Sequence, residues 1–190
     1  MAYTSVIPVH RLDNAIDYIL DEKKCSRREN EESLEGEIDK ALNKDKTEQD
    51  LFQSAIGCTV DSAFEDMCRI KEMWHKEKGV QGFHLVQSFA AGEVSPELAH
   101  QIGLEFADRL LGGNFQAVVS THLNTKCVHN HIVWNSVSMK TGRKYRSNER
   151  TYVTGVRKIS DELCVKHHLS VIRTEKSERV ARPYAQWLAE

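Results

Sequence analysis

Apolar and polar residues follow two different periods along this chain, and the switches between them outline its elements. Tyr3-Thr-Ser-Val-Ile-Pro-Val9 is short and rich in β-branched residues, which predicts a strand. Leu12, Ala15, Ile16, Ile19 and Leu20 then recur at helical spacing. Leu51 to Cys58 is an element whose type the pattern leaves open. Asp61 stands where it can cap a helix running to about Lys78, with Phe64, Met67, Cys68, Ile70, Met73 and Trp74 inward and Gly79 as its stop. Val80 to Phe89 alternates as a strand does. Ser95 and Pro96 then form a helix start, followed by Leu98, Ile102, Phe106 and Leu110 four apart and ended by Gly112-Gly113. Phe115 to His122 and Val128 to Trp134 flank the polar run Asn124-Thr-Lys126 and read as a β-hairpin. A last helix is predicted from about Asn148 to His168. Strands that alternate with helices and close in an antiparallel hairpin predict an α+β, two-layer sandwich. Its central, largely antiparallel sheet would carry helices on one face and leave the other to a substrate.

Two segments break the periodicity. Residues 21–50 are a dense mixture of Asp, Glu, Lys and Arg, expected as a charged insertion or loop with a partly helical stretch near Ile38 to Leu42. Residues 173–190 are expected as a charged tail, or the start of a linker to a further carboxy-terminal region. The folded domain is therefore expected over residues 1–172.

The hairpin carries the chemistry. His122, His129 and His131 fall within ten residues of one another, and imidazole is the commonest side-chain ligand for catalytic transition metals. His129 and His131, two apart on a strand, point to the same face. With a loop of four residues from Asn124 to Cys127, His122 lies directly opposite His129 and diagonal to His131. Those pairings set Cβ atoms about 5 Å and about 7–8 Å apart, close enough for the rings to converge on one ion. A loop one residue longer or shorter would send His122 to the other face. Histidines on a strand commonly make ordinary hydrogen bonds, but three on one hairpin face favour a metal. The literal His129-Asn-His131 does not fit the HNH nucleases, which spread their residues over a strand–helix finger. Nor does it fit a histidine-triad hydrolase, because Val133 stands in the third place.

Composition adds limits. At 190 residues and 40% hydrophobic, the chain can bury one substantial core. No apolar run approaches the roughly 20 residues that cross a bilayer, and no signal-peptide pattern opens the chain. Five cysteines without paired spacing read as reduced thiols in a cytoplasmic protein. Cys127 shares a strand face with His129, where packing beside the site is favoured over ligation. A net charge of −2 does not announce a nucleic-acid binder. Lys140, Arg143, Lys144, Arg146 and Arg150, however, stand against only Glu149 directly after the histidine strand, where they could meet phosphates.

Four segments together resemble the relaxases of plasmid mobilisation and conjugative elements, within the HUH endonuclease superfamily. They are Asn14-Ala-Ile-Asp-Tyr-Ile-Leu20, Gly82-Phe-His-Leu-Val-Gln-Ser-Phe89 with Gly92-Glu-Val-Ser-Pro-Glu97, the Thr121–Ser138 cluster, and Gly142-Arg-Lys-Tyr145. The resemblance implies a metal-dependent strand transferase that nicks one DNA strand at an origin of transfer. A tyrosine would attack the phosphate and stay joined to the 5′ end. It places the nucleophile at Tyr18, with Tyr3 as the nearest rival, and one divalent ion (Mn2+ or Mg2+) on His122, His129 and His131. His84, Glu93 and Asn124 fall at positions suited to holding ligands or substrate; Glu93 could equally be an anion at a helix start. Relatives often carry Asp at the position of Asn124 and His at that of Cys127. Asn130 replaces a usually apolar residue and needs hydrogen-bond partners on the opposite face.

The implied partners are single-stranded or hairpin origin DNA, an accessory DNA-binding protein and a type IV secretion coupling protein. The implied location is the bacterial cytoplasm, with export alongside the transferred strand as an option. A rolling-circle replication initiator or single-strand transposase would share the site. A non-cleaving origin-binding module and a hydrolase of small phosphoesters are further alternatives, and neither forms a protein–DNA adduct.

Overall fold

The computed structural model describes residues 2–21 and 52–171. The expected insertion beyond Asp21 and the tail at 173–190 lie outside the described residues, as does the stretch Ile38 to Leu42. Among the described residues, five strands form one sheet: β1 (Tyr3–Val9), β2 (Gln53–Ile56), β3 (Gly82–Ser88), β4 (Ala117–His122) and β5 (His129–Asn135). Their order is β1-β3-β5-β4-β2 and every pairing is antiparallel. The element of open type at 51–58 is thus an edge strand. The hairpin β4–β5 lies inside the sheet, which explains why six of the seven residues of β5 are buried.

Alternation along the strands sorts residues onto two faces. On the back face, Phe83, Leu85, Ala117, Val119, Ile132 and Trp134 pack against α3 (Pro96–Leu111) and the C-terminal helix. Complete burial of each large side chain contributes about 1.5–3 kcal/mol. On the front face, Val118 and Val133 meet Leu12, Ile16 and Ile19 of α1 (Leu12–Ile19) and Ala63 and Met67 of α2 (Ala63–Met73). The α+β antiparallel architecture is as expected, but helices lie on both faces rather than one. The reason is local: two valines face forward at the middle of β4 and β5, and α1 carries the apolar stripe that covers them. The last turn of this cover, at Tyr18 and Ile19, reaches the histidine end of the hairpin.

Two helices differ in detail from expectation. α2 begins after Ser62 rather than Asp61 and ends at Met73, well before Gly79. It buries Ala63, Met67 and Lys71, while Phe64, Met73 and Trp74 stay exposed. The stripe at positions 63, 67 and 71 is a true helical face, but its third member is a lysine. By contrast α3 starts as predicted, with Ser95 Oγ accepting from the Leu98 amide at 3.2 Å and Gly112 ending it at φ 54°. The last helix is capped by Asn148 and comprises α4 (Glu149–Thr151), a π-helical turn (Tyr152–Arg157) and α5 (Lys158–Lys166).

Candidate active site

The ladder between β4 and β5 pairs His122 with His129 and Ser120 with His131. This is the register that the four-residue loop implied, and it brings all three imidazoles to the front face. Ring centroids lie 4.3 Å apart for His122 and His131, 5.0 Å for His129 and His131, and 5.4 Å for His122 and His129. One nitrogen of each ring lies within 4.8 Å of one from each of the others. Among the described residues, Cys127 does not belong to this group.

Hydrogen bonds at the other nitrogens set which atom of each ring carries a lone pair. His122 Nε2 donates to the Ile19 carbonyl at 2.8 Å, so its lone pair is on Nδ1. His129 Nδ1 donates to the Cys127 carbonyl at 2.9 Å, so its lone pair is on Nε2. His131 Nδ1 lies 2.7 Å from His84 Nε2. With the proton on His131 Nδ1, His84 accepts and His131 Nε2 carries the lone pair. Imidazoles held by one nitrogen so that the other can coordinate are the usual arrangement around a protein-bound metal. The residues therefore fit a divalent cation. His84 is half-buried and its pKa is lowered by that burial, which favours the neutral acceptor.

The C-terminal end of α1 closes over the cluster. The same turn that sends the Ile19 carbonyl to His122 places the Tyr18 ring 5.6 Å from His131, 6.1 Å from His122 and 6.2 Å from His84. Tyr18 remains 49% exposed, so a substrate can reach it. The other described tyrosines are placed differently. Tyr3 faces the same side, but two strands away from His129 through Ser88, about 10 Å at the usual strand spacing. Tyr145 is packed among Phe83, Phe115 and Trp134, and burial raises its pKa. Tyr152 donates its hydroxyl to the Thr4 carbonyl at 2.6 Å.

The remaining expected residues disperse. Asn124 stands at the start of the hairpin loop, its Oδ1 buried with no hydrogen-bond partner among the described residues. Glu93 lies before α3 and accepts from the Ser170 amide, away from the histidines. The turn carrying Lys140, Arg143 and Lys144 follows the far end of β5. Six strand steps from His129 to Asn135 make that distance about 20 Å. Lys144 is half-buried and tethers the Lys78 and Val80 carbonyls. Lys140 sits beside Gly113, just past the end of α3, while Arg143, Arg146 and Arg150 are exposed. Adjacency in sequence is thus not adjacency at the site for the first three. The Ile19 carbonyl was not foreseeable, because a backbone acceptor 103 residues away from His122 leaves no pattern. Asn130 does find partners on the back face, as its polarity required.

Residues 18–169 match the family described as the MobA/VirD2-like nuclease domain of relaxases. Among curated relatives, a protein named rlx from Staphylococcus aureus is 40% identical over 63% of this chain and 36% of its own length. The group II intron-interrupted relaxase LtrB of Lactococcus lactis subsp. cremoris is 27% identical over 98% of this chain and 40% of its own. The chain thus spans about two fifths of the relatives it matches. A solved structure, titled for the molecular basis of vancomycin resistance transfer in Staphylococcus aureus, shares the fold. Its TM-score is 0.52 at 11% identity, covering 90% of this chain and 96% of that one.

Proposed function

Because this chain belongs to the relaxases with a MobA/VirD2-like nuclease domain, we propose that it nicks one strand of an origin of transfer by tyrosine transesterification, serving conjugation or mobilisation. The observation that carries this reading is the placement of an exposed tyrosine ring against a cluster of three imidazoles whose nitrogens lie within 4.8 Å of one another. A divalent cation held by His122, His129 and His131 would supply Lewis-acid polarisation of the phosphate oxygens as negative charge develops on them.

Tyr18 is the nucleophile in this reading. Its oxygen forms a bond to phosphorus as the bond to the 3′ oxygen breaks, and the tyrosyl proton ends on the released 3′ hydroxyl. One phosphoester replaces another, so religation needs no added energy source. His84 positions His131 by accepting its Nδ1 proton, and Ile19 does the same for His122 through its carbonyl. Anchoring Tyr18 one residue before Ile19 couples the nucleophile to the ligand shell, so both move together. Asn124 lacks the charge of an aspartate and offers a buried carbonyl oxygen to the loop end of the site. We assign the exposed Arg143, Arg146 and Arg150, with Lys140, to phosphates of the strand beyond the scissile one, where they fix register rather than chemistry. Glu93 and Lys144 take structural roles.

We read residues 1–172 as the catalytic domain, working in a bacterial cytoplasm with an accessory DNA-binding protein and a type IV coupling protein. Among the described residues, no helix is long and apolar enough to cross a membrane. The test uses single-stranded oligonucleotides tiling the origin of the element that encodes this chain, with Mn2+. Mass spectrometry should find a peptide–DNA adduct on Tyr18, lost in Tyr18→Phe and retained in Tyr3→Phe. An adduct on any other residue would overturn the assignment, and cleavage without an adduct would favour a hydrolase.

A further inference from the structure

Behind the histidine hairpin a line of polar side chains crosses a layer that is otherwise apolar. Ser54 Oγ lies 2.9 Å from His100 Nε2, and His100 Nδ1 lies 2.9 Å from Thr121 Oγ1. Thr121 Oγ1 donates to Asn130 Oδ1 at 2.7 Å. Asn130 Nδ2 donates to the Ala99 carbonyl at 2.7 Å and to Gln87 Oε1 at 3.2 Å, and Gln87 Nε2 donates to Ser160 Oγ at 3.1 Å. Thr121, Asn130 and Gln87 are fully buried, Ser160 is 1% exposed and His100 6%.

Proton bookkeeping gives this line one direction. Thr121 has a single hydroxyl proton and gives it to Asn130, so Thr121 must accept from His100. His100 therefore carries its proton on Nδ1, and Nε2 accepts from the Ser54 hydroxyl. A protonated His100 would turn Ser54 from donor to acceptor and reverse that bond. The relay joins β2, α3, β4, β5, β3 and α5. Its central bond joins Thr121 to Asn130, the cross-strand pair lying between the His122–His129 and Ser120–His131 pairs.

We propose that this relay, with His100 and Asn130 at its centre, is a positioning device for the histidine site, clamping the back of β4–β5 so that the three imidazoles converge on the front. It rests on the metal-site reading given above. An apolar pair at 121 and 130 would pack equally well in neighbouring registers, whereas a directional polar pair is satisfied in only one. Burial also holds the His100 pKa down to about 4, in keeping with the neutral ring that the relay requires.

The test joins two readouts on the whole chain. Long-range 1H–15N correlation on the metal-free protein should show His100 as the Nδ1-protonated tautomer. Mn2+ binding, followed by calorimetry and electron paramagnetic resonance, should weaken by about tenfold or more in Thr121→Val, in the range known for residues that orient ligands. Thr121→Ser, which keeps the hydroxyl, should restore both affinity and tautomer. Ser54→Ala, at the half-buried end of the line, should leave the fold and the Nδ1-protonated tautomer intact, because Thr121 and not Ser54 fixes it. The tautomer of this variant and of the unsubstituted protein decides the case even where the valine variant fails to fold. A His100 proton on Nε2 in the unsubstituted protein would overturn the relay, as would equal Mn2+ affinity in Thr121→Val. If the unsubstituted protein takes up no Mn2+ while the tautomer is as expected, the metal reading fails and the relay is architectural alone.

Discussion

Gly103 sits in the interior of α3, where glycine costs about 1 kcal/mol relative to alanine. Replacing it should therefore stabilise an ordinary helix. Here a Cβ would lie 2.8 Å from Asn130 Nδ2, 2.9 Å from Asn130 Cγ and 3.1 Å from Val119 Cγ1. Neither neighbour can retreat, because Asn130 is held by Ala99, Gln87 and Thr121 and Val119 is fully buried in the sheet. Overpacking of this kind costs about 1–3 kcal/mol. Displacing the amide from the Ala99 carbonyl leaves a buried donor short of a partner, for about 1–3 kcal/mol more. Against the helical gain, Gly103→Ala should lose roughly 1–5 kcal/mol.

Differential scanning calorimetry should read this as a fall in melting temperature of about 2–20 °C, at the sensitivity expected for a domain of this size. Placing Gly103→Ala in an Asn130→Ser background should recover part of the loss, since the shorter side chain makes room. That coupling separates a steric clash from a general helix effect. A melting point equal to or above that of the unsubstituted protein would refute the close approach of α3 to β5 and the seating of Asn130 with it.

Other consequences follow from single contacts. His84→Phe removes the acceptor for His131 and should weaken Mn2+ binding by about 10–100-fold with little change in melting temperature. Equal affinity would show that His131 is oriented by something else. Lys71 is 2% exposed and its ammonium has a 3.5 Å bond to the Met67 carbonyl, with burial lowering its pKa to about 8. Lys71→Met should therefore be neutral or stabilising by about 1–3 kcal/mol in urea denaturation, and marked destabilisation would contradict the account. Acid should destabilise the metal-free protein. His100 binds a proton near pH 6.5 when unfolded but only near pH 4 when folded, and the burial of His84 acts in the same direction. Stability is then fully present above about pH 6.5 and declines toward pH 4, with His100 contributing on the order of 3 kcal/mol. His100→Asn should flatten that decline in urea titrations at pH 7 and pH 5, and an unchanged slope would count against it.

The hairpin was legible because two simple rules act on it. A period of two fixed the face of His129 and His131, and the loop length fixed His122 opposite them. Asn130 was legible as a polar residue on the wrong face for solvent. The phase of α2 was not, because Phe64, Met73 and Trp74 are apolar yet exposed while Lys71 is buried. Sequence proximity overstated the link between the histidines and Lys140, Arg143 and Lys144, since a seven-residue strand carries the chain about 20 Å away. His100 was hidden for a different reason. A single histidine beside an apolar stripe looks the same whether it packs passively or links two strands, and only the long-range pairing of Ser54 and Thr121 distinguishes them.

The ring tautomers commit the account to named atoms. A crystal soaked in Mn2+ and measured at a wavelength with manganese anomalous signal should show one peak about 2.0–2.2 Å from His122 Nδ1, His129 Nε2 and His131 Nε2. The Tyr18 ring should remain beside it. A map without that peak, or with the ion on the opposite nitrogens, would contradict a metal site built on His122, His129 and His131.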